Sequence, residues 1–127
     1  MSSKQNLLAI DYGTNQVGLA ISIIGVISPL KTIPNNSQLI QNIQQIIDQH
    51  QIEKIYVGIS YGSFARKTHK FINQLRQNIS LPLETVEETA STLEAESIFR
   101  QNQKKIKNLS AQIDSLAAAV ILRRVLL

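Results

Sequence analysis

Three short acidic stretches stand where side chains could do chemistry: Asp11 in IDYGT, Glu87 and Glu88 in VEETAST, and Asp114 in AQIDSLAAA. Oxygen-only clusters suit hard cations such as Mg²⁺ or Mn²⁺, which keep several waters and bind phosphate oxygens. Two such ions roughly 3.5–4 Å apart would activate water and stabilise the leaving oxygen of a phosphodiester. Each acid also has an ordinary reading. Asp11 could only shape the Asp-Tyr-Gly turn. Glu87 and Glu88 could be a solvated strand end, and alternation along a strand lets only one of them face Asp11. Asp114, read as lying in the first turn of a helix, could simply favour the amino end of the helix dipole.

The remaining chemistry-bearing residues narrow the choice. The chain has no cysteine and two histidines, which excludes a disulfide scaffold, a Cys nucleophile and a typical zinc site. His50 ends a polar helix face and His69 sits among Arg66, Lys67 and Lys70, so both read as surface residues. Positive charge is clustered. Ser60 to Gln77 holds Arg66, Lys67, Lys70 and Arg76 with no acid. Arg100, Lys104, Lys105 and Lys107 form a second group, and Arg123 and Arg124 a third. Any one of these could be a solvated helix face, but beside an acidic metal site they are what a phosphodiester strand requires. With three Tyr, three Phe and no Trp, base stacking is not a strong expectation.

The elements that must position these residues follow from periodicity. Asn6–Asp11 reads as a strand buried on both faces, Val17–Ile24 as its hairpin partner and Val26–Ile33 as a third extended stretch. Asn36 or Ser37 caps a helix carrying Leu39, Ile40, Ile43, Ile46 and Ile47. Ile55–Ile59 is a strand, Ser63–Asn78 a helix, Leu83–Glu87 a strand and Thr92–Gln101 a helix. A last helix runs from Ser110 with Ile113, Leu116, Ala117, Val120 and Ile121 on one face. Its alanines would let it lie close to a sheet. The order β-β-β-α-β-α-β-α-α implies an α/β fold, a mixed five-stranded sheet flanked by helices, whose later strands are parallel. Ligands of such sheets gather beyond the carboxyl ends of the parallel strands.

At 127 residues, 43% hydrophobic and 17% charged, the chain is expected to form a single domain over residues 1–127. No apolar run reaches the ~18 residues of a membrane helix, and the polar start does not read as a signal peptide. A cytoplasmic protein is expected. The net charge of +4 favours an anionic partner.

The chain resembles the YqgF-type RNase H-like family of pre-16S rRNA nucleases, also described as Holliday-junction-resolvase-like. LAIDYGTNQVGLAIS, GVISPLKTI, YVGIS, VEETAST and AQIDSLAAAVIL resemble that family's successive motifs, in order, over nearly the whole chain. The resemblance implies an RNase H-like fold and a metal-dependent endonuclease, with Asp11, Glu88 and Asp114 as catalytic metal ligands for Mg²⁺ or Mn²⁺. It implies structured RNA, an rRNA precursor, or branched DNA as partner and no membrane, and the clustered Arg66, Lys67 and Lys70 would then hold the strand's backbone. The sequence departs from the family pattern at Thr89, where an Arg is usual, at Asn15 and Gln16, where a basic pair is usual, and at Tyr61, where an Asp is expected. Two other classes stay open: a non-catalytic nucleic-acid-binding module with a vestigial site, and an actin-like ATPase, which would need a second domain to close over its nucleotide.

Overall fold

The computed structural model describes residues 5–59, 64–87 and 109–126, the last with side chains from Ser115 onward. Within them the order is β1 (Leu7–Asp11), β2 (Gln16–Ile23), β3 (Val26–Pro29), β4 (Ile33–Pro34), α1 (Leu39–His50), β5 (Lys54–Ile59), α2 (Phe64–Asn78), β6 (Leu83–Glu87) and α3 (Leu109–Leu126). The helix expected at Thr92–Gln101 lies outside the described residues.

The main sheet runs β3-β2-β1-β5-β6. β1–β2 and β2–β3 are antiparallel hairpins, and β1–β5 and β5–β6 are parallel. The parallel pairs follow because α1 and α2 return the chain to the amino edge of the sheet before the next strand begins. One correction concerns the third extended stretch. It does not run through to Ile33: β3 stops at Pro29, and a separate two-residue β4 pairs with Gln16 and Val17. Proline lacks the N–H a ladder needs, so Pro29 can end β3 only because β3 is an edge strand.

Strand alternation sorts the core into two layers. Leu8, Ile10, Leu19, Ile55 and Val57 face α1 and α2, packing on Ile43, Ile47, Phe71, Ile72 and Leu75. Leu7, Ala9 and Ala20 face α3, packing on Ala118, Ala119, Ile121 and Leu122. Alanine against alanine brings the helix axis close to the sheet, as the small-residue row suggested. A second correction is that α3 has no single apolar face: Ser115 to Leu122 are buried without interruption. A helix buried all round needs no polar stripe.

A third correction concerns the start of α1. Its N-cap is Gln38, with no side-chain cap, and Asn36 instead accepts the Gln38 N–H at 2.9 Å. The carboxamide closes the turn before the helix rather than its first free N–H.

Candidate nucleic-acid-processing site

Asp11 is the last residue of β1 and is half-buried. Alternation places it on the α3 side, because Leu7 and Ala9 belong to that layer and Leu8 and Ile10 to the other. The chain must then reverse at once into β2, and Gly13 makes this possible. A Cβ there would stand 2.3 Å from the backbone oxygen of Gln16, closer than atoms can approach. Asn35 clamps the turn from outside, its Nδ2 donating to the Gly13 carbonyl at 2.7 Å and its N–H to the Asn15 carbonyl at 2.9 Å. Asp11 therefore sits on a fixed turn.

The last helix reaches the same end of the sheet. Ser115, 1% exposed, donates its hydroxyl to the Leu30 carbonyl at 2.6 Å. Leu30 in turn donates to Leu19, the register partner of Ile10. The backbone at position 114 is thus held level with the carboxyl end of β1, on Asp11's side of the sheet. Asp114 lies in the second turn of α3, not the first, since the helix begins at Leu109. Its place owes nothing to the helix end, so the ordinary reading of Asp114 as a helix-terminus acid loses its basis.

The register also decides between the neighbouring glutamates. Glu87 pairs with Ile59 of β5, which packs with Val57 in the α1/α2 layer, whereas Val86, one residue before Glu87, packs in the α3 layer. Glu87 therefore points to the α1/α2 side, away from Asp11, and is exposed. Glu88 lies outside the described residues, and the side chain of Asp114 is not described. Among the described residues no three acids gather into a metal-binding group.

Arg66, Lys67 and Lys70 are exposed on the first two turns of α2, the helix that follows the carboxyl end of β5. Lys67 Nζ lies 5.9 Å from the Phe64 ring centroid. The Arg100–Lys107 group lies outside the described residues.

Sequence reasoning missed two features. Arg124, noted only as part of a basic pair, donates from Nη1 to the Glu87 carbonyl at 2.8 Å. Ser115 is anchored beside β3 and Arg124 beside the end of β6, so α3 crosses the sheet obliquely and delivers a guanidinium to the strand end that precedes Glu88. Nothing in the periodicity of α3 reports that crossing. The second feature is an aromatic column. Tyr12 stacks on Phe71 with centroids 4.3 Å apart and on Phe64 at 5.7 Å. Phe64 and Phe71 read as core by spacing, but Tyr12 joins them only because the turn after Asp11 folds toward α2.

A family model described as "RuvX: Holliday junction resolvase" matches residues 5–127. A Rickettsia typhi protein named "Putative pre-16S rRNA nuclease" is 32% identical over 130 residues, covering 94% of this chain and 83% of its own. An Orientia tsutsugamushi protein of the same name is 33% identical over 128 residues, covering 94% and 82%. Among solved structures, T. thermophilus RuvC in complex with a Holliday junction substrate superposes with a TM-score of 0.68 at 12% identity over 96% of both chains. The fowlpox virus Holliday junction resolvase gives 0.59 at 12% identity, covering 96% of this chain and 99% of its own. At such identities the two structures speak for the fold.

Proposed function

The chain belongs to the RuvX family, described as Holliday junction resolvase, and from that premise we propose that it is a metal-dependent phosphodiester nuclease of the pre-16S rRNA kind. The observation that carries this reading is that Asp11 ends β1 on the α3 side of the sheet while Ser115, the residue after Asp114, is bonded to Leu30 beside that same end. Ligands of open α/β sheets bind at that end. Curated relatives covering more than four-fifths of their own length carry the nuclease name.

The donor set fits a hard divalent ion. Asp11 offers carboxylate oxygens at a strand end, and neither histidine nor cysteine lies near it in sequence. In this proposal Asp11, Glu88 and Asp114 hold Mg²⁺ or Mn²⁺. The register supports Glu88 over Glu87, because Glu87 faces the opposite layer. When bound, the ions supply Lewis-acid stabilisation of charge on the phosphodiester oxygens. The protein's own work is positioning. The Gly13 turn fixes Asp11, the Ser115–Leu30 bond fixes the segment that carries Asp114, and Arg66, Lys67 and Lys70 hold the flanking phosphates. Arg124, bonded to the Glu87 carbonyl at the carboxyl end of β6, adds positive charge to that strand end.

Thermal melts with and without millimolar Mn²⁺, run beside cleavage of a pre-16S RNA fragment and of a four-way DNA junction, test the proposal. Mn²⁺ should raise the melting temperature of the wild type and not that of Asp11→Asn, Glu88→Gln or Asp114→Asn, and each substitution should abolish cleavage. A wild type whose melting ignores Mn²⁺ would sink the metal site and favour the vestigial binding module. Cleavage of the junction in preference to the RNA would assign the activity to branched DNA.

A further inference from the structure

A cleft of about 430 Å³ opens between the Tyr12 turn, the start of α1 and the second half of α2. It lies within the usual size range of small-ligand sites. Its polar lining is mostly carboxamide, Asn35 and Asn36 with Ser37 on one side and Gln74, Gln77 and Asn78 on the other, and Tyr12, which follows Asp11 in the chain, also lines it. Among the described residues no charged side chain lines it. Leu39 and Ile40 supply an apolar patch. Among the described lining residues no formal charge balances a phosphate or a metal ion. A flat, neutral group with hydrogen-bonding edges needs none.

The carboxamides are already oriented, and their remaining capacity is mixed. Asn35 Nδ2 gives one of its two N–H groups to the Gly13 carbonyl and Asn78 Nδ2 one of its two to the Gln74 carbonyl, which fixes each amide's orientation and leaves its Oδ1 as an acceptor. Asn36 Oδ1 accepts from Gln38, which leaves its Nδ2 as a donor. Paired donors and acceptors of this kind match the edges of a nucleobase, as Asn and Gln do when they bind adenine at two points.

The sequence of α2 ties the cleft to the nuclease site. Lys67, Lys70, Gln74, Gln77 and Asn78 follow helical spacing along one side of the helix, cations in the first half and carboxamides in the second. Tyr12 directly follows Asp11. Asp11 faces the α3 side of the sheet and the cleft the α1/α2 side, so a strand held at Asp11 reaches the cleft by passing round the end of the sheet at the Tyr12 turn, with the lysines of α2 along its backbone. We infer that the cleft is a nucleobase subsite that takes an unpaired base of the bound strand. The base must be unpaired because pairing would occupy the edge that the carboxamides read. The inference rests on the nuclease reading above.

The test uses the whole chain with chelator present, so that nothing is cut. The probes are a short labelled single-stranded oligoribonucleotide, its DNA equivalent and an abasic oligomer of the same length. Gln74→Ala/Gln77→Ala should weaken binding of the base-bearing strand about tenfold or more, leave the abasic oligomer bound as by the wild type, and keep the salt dependence unchanged. Both residues are exposed and alanine favours helix, so the variant keeps its fold. Equal loss toward both oligomers, or no loss, overturns the subsite. Equal tightness for RNA and DNA would locate recognition in the base and not the sugar, and preference for RNA would add the 2′-hydroxyl to what the cleft reads. A cleavage assay in Mn²⁺ separates the two claims. A wild type that cuts RNA, with a double variant that binds every probe unchanged, removes the subsite and keeps the nuclease. A wild type that neither binds nor cuts removes both.

Discussion

Ser115 Oγ donates to the Leu30 carbonyl at 2.6 Å, across 85 positions of sequence, and holds the α3 backbone level with the end of β1. The hydroxyl is inaccessible to water, so the bond cannot be exchanged for a solvent contact. Ser115→Ala would leave the carbonyl without this donor at a cost of about 1–3 kcal/mol. It should also loosen the segment that carries Asp114. The expected result is a lower melting temperature together with a loss of Mn²⁺-dependent stabilisation larger than a similarly destabilising core change, such as Ile72→Val, produces.

The basic stripe on α2 makes a prediction about salt. Replacing Arg66, Lys67 and Lys70 with Glu should weaken RNA binding and flatten its dependence on salt. Each lost phosphate contact should lower the slope by roughly 0.7–0.9. An unchanged slope would move the binding face to Arg123 and Arg124 or to the Arg100–Lys107 group.

The β2–β3 hairpin carries measurable strain. Ile24 has φ 53° and Gly25 φ 77°, so both turn residues are left-handed, and Ile24 is 69% exposed. A β-branched residue there costs about 1–2 kcal/mol, and its exposure recovers little by burial. Asn-Gly is the pair that such two-residue hairpins favour. Ile24→Asn should therefore raise stability by about 1 kcal/mol in denaturant unfolding, with the slope of the transition unchanged.

Lys54 gives the alkaline limb of the stability curve. The Glu84 carboxylate bonded to it, with the Tyr56 hydroxyl beside it, holds its ammonium above the usual 10.5. A folded pKa raised above the unfolded one adds stability that is complete below the unfolded value and disappears as pH rises through the folded one. Glu84 is largely exposed, so the pair contributes at most about 1 kcal/mol. Lys54→Met should be slightly less stable than wild type at neutral pH. The difference should vanish once the pH has risen past the raised folded pKa, above 10.5.

What the sequence by itself determined is what short-range physics controls. Apolar runs and helical spacing located β1, β2, β5, β6 and α2 to within a residue or two and placed α1 just after Asn36 and Ser37, because local hydrophobic pattern reports burial. The turn at Gly13 and the candidate acids at Asp11 and Asp114 were legible because an acid beside an apolar run stands out in any arrangement. Tertiary structure decided the rest. Whether Glu87 shares a side with Asp11 depends on the register of β6 against β5, which is a property of two strands and not of either alone. The amphipathic face expected for α3 failed because Ser115 to Leu122 are buried all round, a condition set by tertiary packing that its own periodicity does not carry. Asn35 reaches Gly13 over 22 positions, and Arg124 reaches Glu87 over 37. The carboxamide cleft exists only because α1 and α2 lie on one side of the sheet with the Tyr12 turn between their ends. Long-range pairings of this kind are chosen by how whole layers pack, and no local stretch of the chain records that choice.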